Sequence, residues 1–168
     1  MNKLNLKNKK GFTLVELLAV IVVLAIIILI AMPSVMSAMD KARKNSLVTE
    51  ASEIIKIAQT AYADDMMNAK VPANSEGYCY SLEYLIEKGY MDKNLGGEGS
   101  EASEFGSVLL TVNDESVATY QVWLTNKIYS ITGAASNAID SSTPTKYSST
   151  SDTNTSFNSC GNSGTLRS

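Results

Sequence analysis

The residue whose surroundings demand a chemical explanation is Glu16. It lies in an apolar stretch, and after it no charged residue occurs until Asp40. An unpaired charge in hydrocarbon costs ~2.5–3.5 kcal/mol even on the mildest insertion scales. A partner for this carboxylate is therefore expected.

Other residues with chemical potential do not form a recognisable site. The chain has no histidine, which removes the commonest general base and the commonest zinc ligand. Asp64 and Asp65 are adjacent, so on a helix they point to different sides. Asp152-Thr153-Asn154 offers oxygen ligands without the EF-hand pattern, and residues 96–100 form a glycine-rich loop without a flanking strand and helix. We predict no enzyme activity, no cofactor and no metal site.

The chain contains two cysteines, Cys79 and Cys160, and they do not form a Cys-x-x-Cys pair. Two unrelated free thiols are one possibility. If this part of the chain is extracellular, a disulfide is favoured. It would close a loop of roughly 80 residues and stabilise the fold by ~4 kcal/mol in the chain-entropy model.

Charge is distributed unevenly along the sequence. The formal net charge is −3, but residues 1–11 carry four lysines and no acid, while the segment from Lys70 onward is acidic. An acidic surface cannot provide the broad basic face that nucleic acids require. We therefore predict no specific nucleic-acid site.

The uncharged run Leu17–Met39 is long enough to span a bilayer, and the lysines before it place the N-terminus in the cytoplasm. A secretory signal peptide is disfavoured for two reasons. The apolar core is too long, and at each candidate cleavage site a large residue stands at the upstream position that should hold a small one. A plain membrane anchor leaves both Glu16 and the Gly11-Phe12 junction unexplained.

The segment Lys9–Leu18, Lys-Lys-Gly-Phe-Thr-Leu-Val-Glu-Leu-Leu, resembles the processing signal of type IV prepilins. The resemblance implies that a prepilin peptidase removes the basic leader 1–11 after Gly11 and that the new amine at Phe12 is methylated. It also implies that Glu16 docks on the Phe12 amine of a neighbouring subunit. Within one chain the two groups are four residues apart, on the same helical face. Because the buried charge is satisfied in only one axial alignment of the subunits, it favours correct docking more than it adds stability.

Pro33 matches a position at which pilin helices bend. Proline removes a backbone donor and clashes with the preceding turn, so we predict a kink there within the hydrophobic helix 12–33. The alternative is that Pro33 starts a separate helix. Residues 34–69 continue as an amphipathic helix, because apolar residues recur at four-three spacing from Leu47 to Ala61. One helix from Phe12 to about residue 69 would be ~87 Å long and must protrude.

The remaining residues, 70–168, are predicted to form a globular head. A short helix over 82–88 has Ser81 as its N-cap and Gly89 as its stop, and three strands follow at about 108–112, 118–124 and 127–132. Short turns between them predict an antiparallel meander lying on the helix. The only tryptophan, Trp123, is predicted to pack within a strand rather than to bind a ligand.

Two further features concern the ends of the head. Residues 78–91 are similar to the head-domain opening of Gram-positive, clostridial-type pilins. The Ser/Thr/Asn-rich tail 140–168 reads as disordered by composition, but Phe157 and a bridge from Cys160 to Cys79 would strap it onto the head.

The sequence as a whole predicts an α+β chain with the type IV pilin fold: a long protruding N-terminal helix, with its hydrophobic half in the membrane or the filament core, packed on a small β-meander head. The resemblance implies a homopolymeric surface filament for adhesion, motility or biofilm formation. It also implies three partners, namely a prepilin peptidase, an assembly ATPase and a membrane platform protein. The precursor would lie in the cytoplasmic membrane with its N-terminus inside, and the product outside the cell. A minor pilin or pseudopilin of a secretion or DNA-uptake machine is one alternative, and a non-polymerising anchored adhesin is another.

Overall fold

The structure is a computed structural model that describes residues 12–68, 77–92, 105–113, 117–148, 157–162 and 165–166. It contains a long N-terminal helix followed by a small, mainly antiparallel sheet, which confirms the predicted α+β, type IV pilin-like layout. The chain divides into two compact units, Met1–Asp40 and Lys41–Ser168. The leader 1–11 and the Gly-rich loop 96–100 lie outside the described residues.

The long helix, α1, comprises Leu14–Met67, 54 residues. Its second half carries the apolar seam predicted from the four-three spacing, because each seam residue from Leu47 to Ala61 is buried. The helix ends at Met67, and Asn68 closes its last turn by donating its backbone N–H to the Asp64 carbonyl at 3.0 Å.

In the part of the chain that the structure describes, six strands form one sheet in the order β5-β4-β3-β2-β1-β6. The strands are β1 Tyr78–Ser81, β2 Phe105–Val112, β3 Ala118–Thr125, β4 Tyr129–Ala135, β5 Thr145–Lys146 and β6 Thr165–Leu166. Neighbours from β5 to β1 pair antiparallel, and β6 pairs parallel with β1. The two outermost strands therefore have two residues each, and neither was predicted from the sequence.

The meander differs from its predicted bounds at four strand ends. Two of them are C-terminal, because β3 ends at Thr125 rather than at 124 and β4 ends at Ala135 rather than at 132. β2 begins at Phe105 rather than near 108, because its first residues continue the ladder to β3 as far as Thr125. β4 begins at Tyr129 rather than at 127, because the Asn126 carboxamide oxygen accepts the backbone N–H groups of Ile128 and Tyr129 and forms a turn. Lys127 in this turn has a φ of 66°.

The short helix α2, Leu82–Glu87, begins as predicted at Ser81, whose hydroxyl accepts the Tyr84 backbone N–H at 3.1 Å. Gly89 follows it with a φ of 78°, a conformation that glycine adopts without steric cost.

The sheet has apolar residues on both faces. One face packs against the second half of α1 in the main core, which includes Tyr80, Leu110, Leu124 and Ile131. A second, smaller cluster consists of Cys79, Leu109, Trp123, Phe157 and Cys160. The C-terminal segment thus packs on the sheet through an apolar cluster that is separate from the main core.

Candidate assembly site

The first turn of α1 is closed by a reciprocal pair of side chains, those of Thr13 and Glu16. The Glu16 carboxylate accepts the Thr13 backbone N–H at 2.8 Å and the Thr13 hydroxyl at 3.0 Å, both at Oε2. The Thr13 hydroxyl in turn accepts the Glu16 backbone N–H at 3.3 Å. This is a capping box, which satisfies two backbone donors that a helix start otherwise leaves without partners.

The capping box gives Glu16 a partner within the unprocessed chain, and its pairing with a Phe12 amine after processing stays a prediction. Phe12 is joined to Gly11 in this chain, so it has no free amine, and the carboxylate bonds to Thr13 instead. The sequence analysis missed Thr13, although Thr-x-x-Glu before an apolar run is itself a helix-start signal. The Phe12 side chain is 93% exposed, and Gly11 lies outside the described residues.

Beyond this turn, α1 presents a continuous apolar surface. Large apolar side chains from Leu14 to Met39 are all about half exposed or more within the chain. By length and composition this helix could cross a membrane. Because water disfavours so large an apolar surface, lipid or another protein must cover it.

Pro33 lies inside α1, which continues on both sides of it. The alternative in which a separate helix starts at Pro33 is therefore not found. A kink at Pro33 stays a prediction.

The C-terminal segment is fastened to the sheet by a disulfide between Cys79 and Cys160, whose Cα atoms lie 6.0 Å apart. Both residues are buried, and because their sulfur atoms are bonded to each other, they are not two free thiols. The buried Ser107 hydroxyl donates to the Phe157 carbonyl and accepts the Cys160 backbone N–H at 3.0 Å. We name residues 157–161 the C-terminal strap.

Trp123 packs beneath the C-terminal strap, as predicted for a strand residue, and is 8% exposed. A Cβ atom at Gly161 would come within 3.2 Å of its indole nitrogen, and one at Gly133 within 3.1 Å of the ring. Two glycines therefore allow the backbone to lie directly on the indole.

Asp64 and Asp65 serve the fold separately rather than as a carboxylate pair. Asp64 accepts the Tyr90 hydroxyl at 3.1 Å, and the buried Asp65 accepts the Tyr80 hydroxyl at 3.2 Å. Each links the last turns of α1 to a different part of the head. Burial and this bond to Asp64 raise the pKa of Tyr90.

Comparison with protein families identifies the N-terminal segment. Residues 6–32 match the family model described as the prokaryotic N-terminal methylation motif. The chain carries this motif. The match includes the Gly11-Phe12 junction, Thr13 and Glu16, and it ends one residue before Pro33.

The methylation motif supports a type IV pilin-like or pseudopilin protein, and its family is structural rather than enzymatic. It implies processing by a peptidase and an assembly machinery, and together with the apolar helix it suits membrane anchoring of a precursor. No curated protein and no solved structure matches the chain.

Proposed function

We propose that this chain is a structural subunit of a type IV pilus, which polymerises through α1 into a surface filament for adhesion, motility or biofilm formation. The observation that carries the proposal is the methylation motif at residues 6–32, which includes the start of a helix whose large apolar side chains from Leu14 to Met39 are exposed. A helix that is apolar on all sides is stable in lipid or among copies of itself. A subunit that moves from the membrane to the filament needs a helix that is stable in both environments.

In this proposal processing precedes assembly. A prepilin peptidase hydrolyses the Gly11-Phe12 bond on the cytoplasmic side and removes the leader with its four lysines. Methylation then modifies the new Phe12 amine. An assembly ATPase and a membrane platform protein transfer the processed chain from the cytoplasmic membrane to the extracellular filament.

The geometry of the first turn is compatible with docking on a neighbouring subunit. Both bonds from Thr13 fall on Oε2 of Glu16. The other oxygen, Oε1, can accept the Phe12 amine of a second copy while the helix cap stays intact. Docking therefore adds a charge-assisted bond without first breaking the helix start.

The test replaces Glu16 with alanine and compares it with Glu53→Ala, a matched control on an exposed position of the same helix. Mass spectrometry detects cleavage after Gly11 and methylation of Phe12. Electron microscopy of sheared surface material shows whether filaments have formed. We expect Glu16→Ala to be cleaved but not assembled, and Glu53→Ala to assemble normally. Normal filaments from Glu16→Ala, or a chain left uncut in cells, would contradict the proposal.

Two other roles use the same motif. A minor pilin or pseudopilin would assemble by the same route but would be a small fraction of the filament mass, so quantitative mass spectrometry of purified filaments separates it from a major subunit. A non-polymerising anchored adhesin would be displayed at the surface equally well with Glu16→Ala.

A further inference from the structure

The disulfide between Cys79 and Cys160 lies beneath the C-terminal strap, where solvent does not reach it. Both cysteines are 0% exposed. Leu109, Trp123 and Phe157 complete the apolar cluster around them. Thiol–disulfide exchange begins when a thiolate attacks a disulfide sulfur, so it needs direct access to that atom. In the conformation that the structure describes, a thiolate in solvent has no such access.

Hydrogen bonds hold the C-terminal strap on the sheet just before Cys160. The Ser107 hydroxyl donates to the Phe157 carbonyl and accepts the Cys160 backbone N–H at 3.0 Å. The Asn158 carboxamide oxygen accepts the Gly106 backbone N–H at 3.3 Å. Cys160 can therefore move away from β2 only when these bonds break.

Just after Cys160, the backbone of the C-terminal strap lies on the Trp123 ring. A Cβ atom at Gly161 would come within 3.2 Å of the indole nitrogen. Cys160 and Gly161 both have left-handed backbone conformations, with φ values of 51° and 63°. For cysteine, unlike glycine, this conformation is energetically unfavourable. The closed strap therefore holds strain at Cys160, which its contacts and the disulfide must offset.

We propose that closure of the C-terminal strap is controlled by the redox state of Cys79 and Cys160. The disulfide forms and breaks only while the strap is open, and the intact bond keeps the strap closed over Trp123. The inference goes beyond the proposed function and does not depend on it, because all of its residues lie in the unit Lys41–Ser168.

Closure requires an external disulfide as the oxidant. The thiolate of one cysteine attacks this disulfide, forms a mixed disulfide and releases one thiolate. The thiolate of the second cysteine then attacks the cysteine sulfur of the mixed disulfide, which forms the Cys79–Cys160 bond and releases the other thiolate. The two cysteines lose two electrons, the external disulfide gains them, and the two thiol protons pass to solvent. Reduction by a dithiol is the reverse reaction.

Opening of the strap should therefore limit how fast a reductant breaks the bond. When the strap recloses faster than exchange occurs, the reduction rate is proportional to the fraction of chains in which it is open. A substitution that weakens only the strap raises this fraction and accelerates reduction. One that weakens another part of the head does not.

The experiment treats the full chain in detergent micelles with dithiothreitol and follows the two released thiols by alkylation and mass spectrometry. We expect Ser107→Ala to be reduced about tenfold faster than the natural chain, because two strap groups lose a buried partner. Gly161→Ala should also accelerate reduction, because its Cβ atom would crowd the Trp123 ring. Unchanged rates in both variants would overturn the proposal.

Gly89→Ala is the matched control for Gly161→Ala. Gly89 also has a left-handed φ, 78°, but a Cβ atom there would meet nothing within 4 Å. It follows α2, whose buried side chains belong to the main core rather than to the cluster around the disulfide. We expect the natural reduction rate in this variant. Acceleration equal to that of Gly161→Ala would mean that unfolding of the whole head exposes the bond, and it would overturn the proposal.

A second readout follows the strap itself. Trp123 is the only tryptophan of the chain, so its fluorescence reports whether the strap covers it. After reduction without denaturant, we expect its emission to shift to longer wavelength and its protection from acrylamide to be lost, while hydrogen exchange in β2 and β3 stays slow. Continued protection of Trp123 would show that the strap stays closed without the bond. Fast exchange throughout β2 and β3 would show that the bond holds the whole sheet. Either result would overturn the proposal.

Discussion

Glu16 combines a local role at the start of α1 with a proposed docking role between subunits. A carboxylate in an apolar helix has to be satisfied in each environment the chain visits, because its solvation is lost in lipid and in a packed filament. Thr13 supplies that satisfaction within the chain, through two donors to a single oxygen. The negative charge also lies at the helix N-terminus, where the helix dipole favours it.

Replacing Thr13 with alanine should destabilise the first turn of α1 by about 1 kcal/mol, because the hydroxyl that accepts the Glu16 backbone N–H is lost. Residue-resolved hydrogen exchange of the full chain in detergent micelles should show this amide exchanging about fivefold faster. Thr13→Ser keeps the hydroxyl and serves as the control. Equal exchange in the alanine variant and the natural chain would contradict the capping role.

Asp140 is an exposed carboxylate of the head, and its ionisation is expected to make the stability of the fold depend on pH. Hydrogen bonds from Ser142, through its hydroxyl and its backbone N–H, and from Thr143 hold the pKa of Asp140 below its ordinary value of 3.8. A lowered pKa in the folded state stabilises the fold above the ordinary value, and this contribution disappears as the pH falls through the folded value.

The difference in thermal midpoint between the natural chain and Asp140→Asn should therefore be constant from pH 7 to about pH 5, and it should decrease below about pH 4. Thermal unfolding in detergent at a series of pH values measures it. A difference that stays constant down to pH 2.5 would show that these hydrogen bonds do not favour the ionised form.

At the scale of elements, each margin of the described sheet has a strand with two described residues, and only β5 has described residues on both sides of it. β5 and β6, two residues each, are the outermost strands of the described sheet. Long unpaired edges invite pairing with other chains, and short edge strands limit it. At the β5 margin, the short strand therefore limits pairing of the sheet with other chains.

The C-terminal strap depends on one buried hydroxyl. Ser107 in β2 contacts both the Phe157 carbonyl and the Cys160 backbone N–H, so Ser107→Ala leaves two buried backbone groups without this partner. We expect a loss of about 1–3 kcal/mol in the free energy of unfolding. Urea unfolding of the full chain measures it.

The matched control for this change is Thr111→Ser on the same strand. It keeps a hydroxyl next to Thr119, whose own hydroxyl lies 2.7 Å away, at an exposed position. We expect a change within about 0.5 kcal/mol. A Ser107→Ala variant as stable as this control would show that the strap does not need the hydroxyl.

At the scale of the whole molecule, the two units obtain stability in different ways. The described part of the unit Met1–Asp40 exposes its apolar side chains, so its stability requires a cover such as the proposed membrane or filament. Lys41–Ser168 has its own core, and a disulfide that joins residues 81 positions apart. This division is compatible with the proposed transfer of the subunit from membrane to filament, in which the head stays folded.

Replacing both Cys79 and Cys160 with serine should lower the free energy of unfolding by about 4 kcal/mol, since an open chain gains entropy on unfolding. Urea unfolding with and without a reductant measures it. The reductant should destabilise the natural chain and leave the double variant unchanged. Equal stability of the natural chain in both conditions would mean that the bridge contributes little.

Much of the fold was predictable because its signals are local. The apolar run, the four-three seam of α1 and the Ser81 cap depend on residues within a few positions of one another, and they were predicted. The Thr13–Glu16 box is equally local and was overlooked. By contrast, β1 and β6 pair across more than 80 residues, and no local pattern specifies a two-residue strand.

The sequence by itself determined the chemistry at the start of the chain. The signal there is contiguous: it consists of a basic leader, a glycine-phenylalanine junction and one carboxylate before an apolar run. It can therefore be recognised without knowledge of the tertiary structure. The tertiary structure alone decided which groups meet across distance. It joined Cys79 to Cys160, placed Ser107 beneath the C-terminal strap and gathered Lys44 and Lys146 around Tyr129. Such contacts depend on how the strands pair and pack. Pairing and packing are determined by the whole sequence together and cannot be read from any one segment of it.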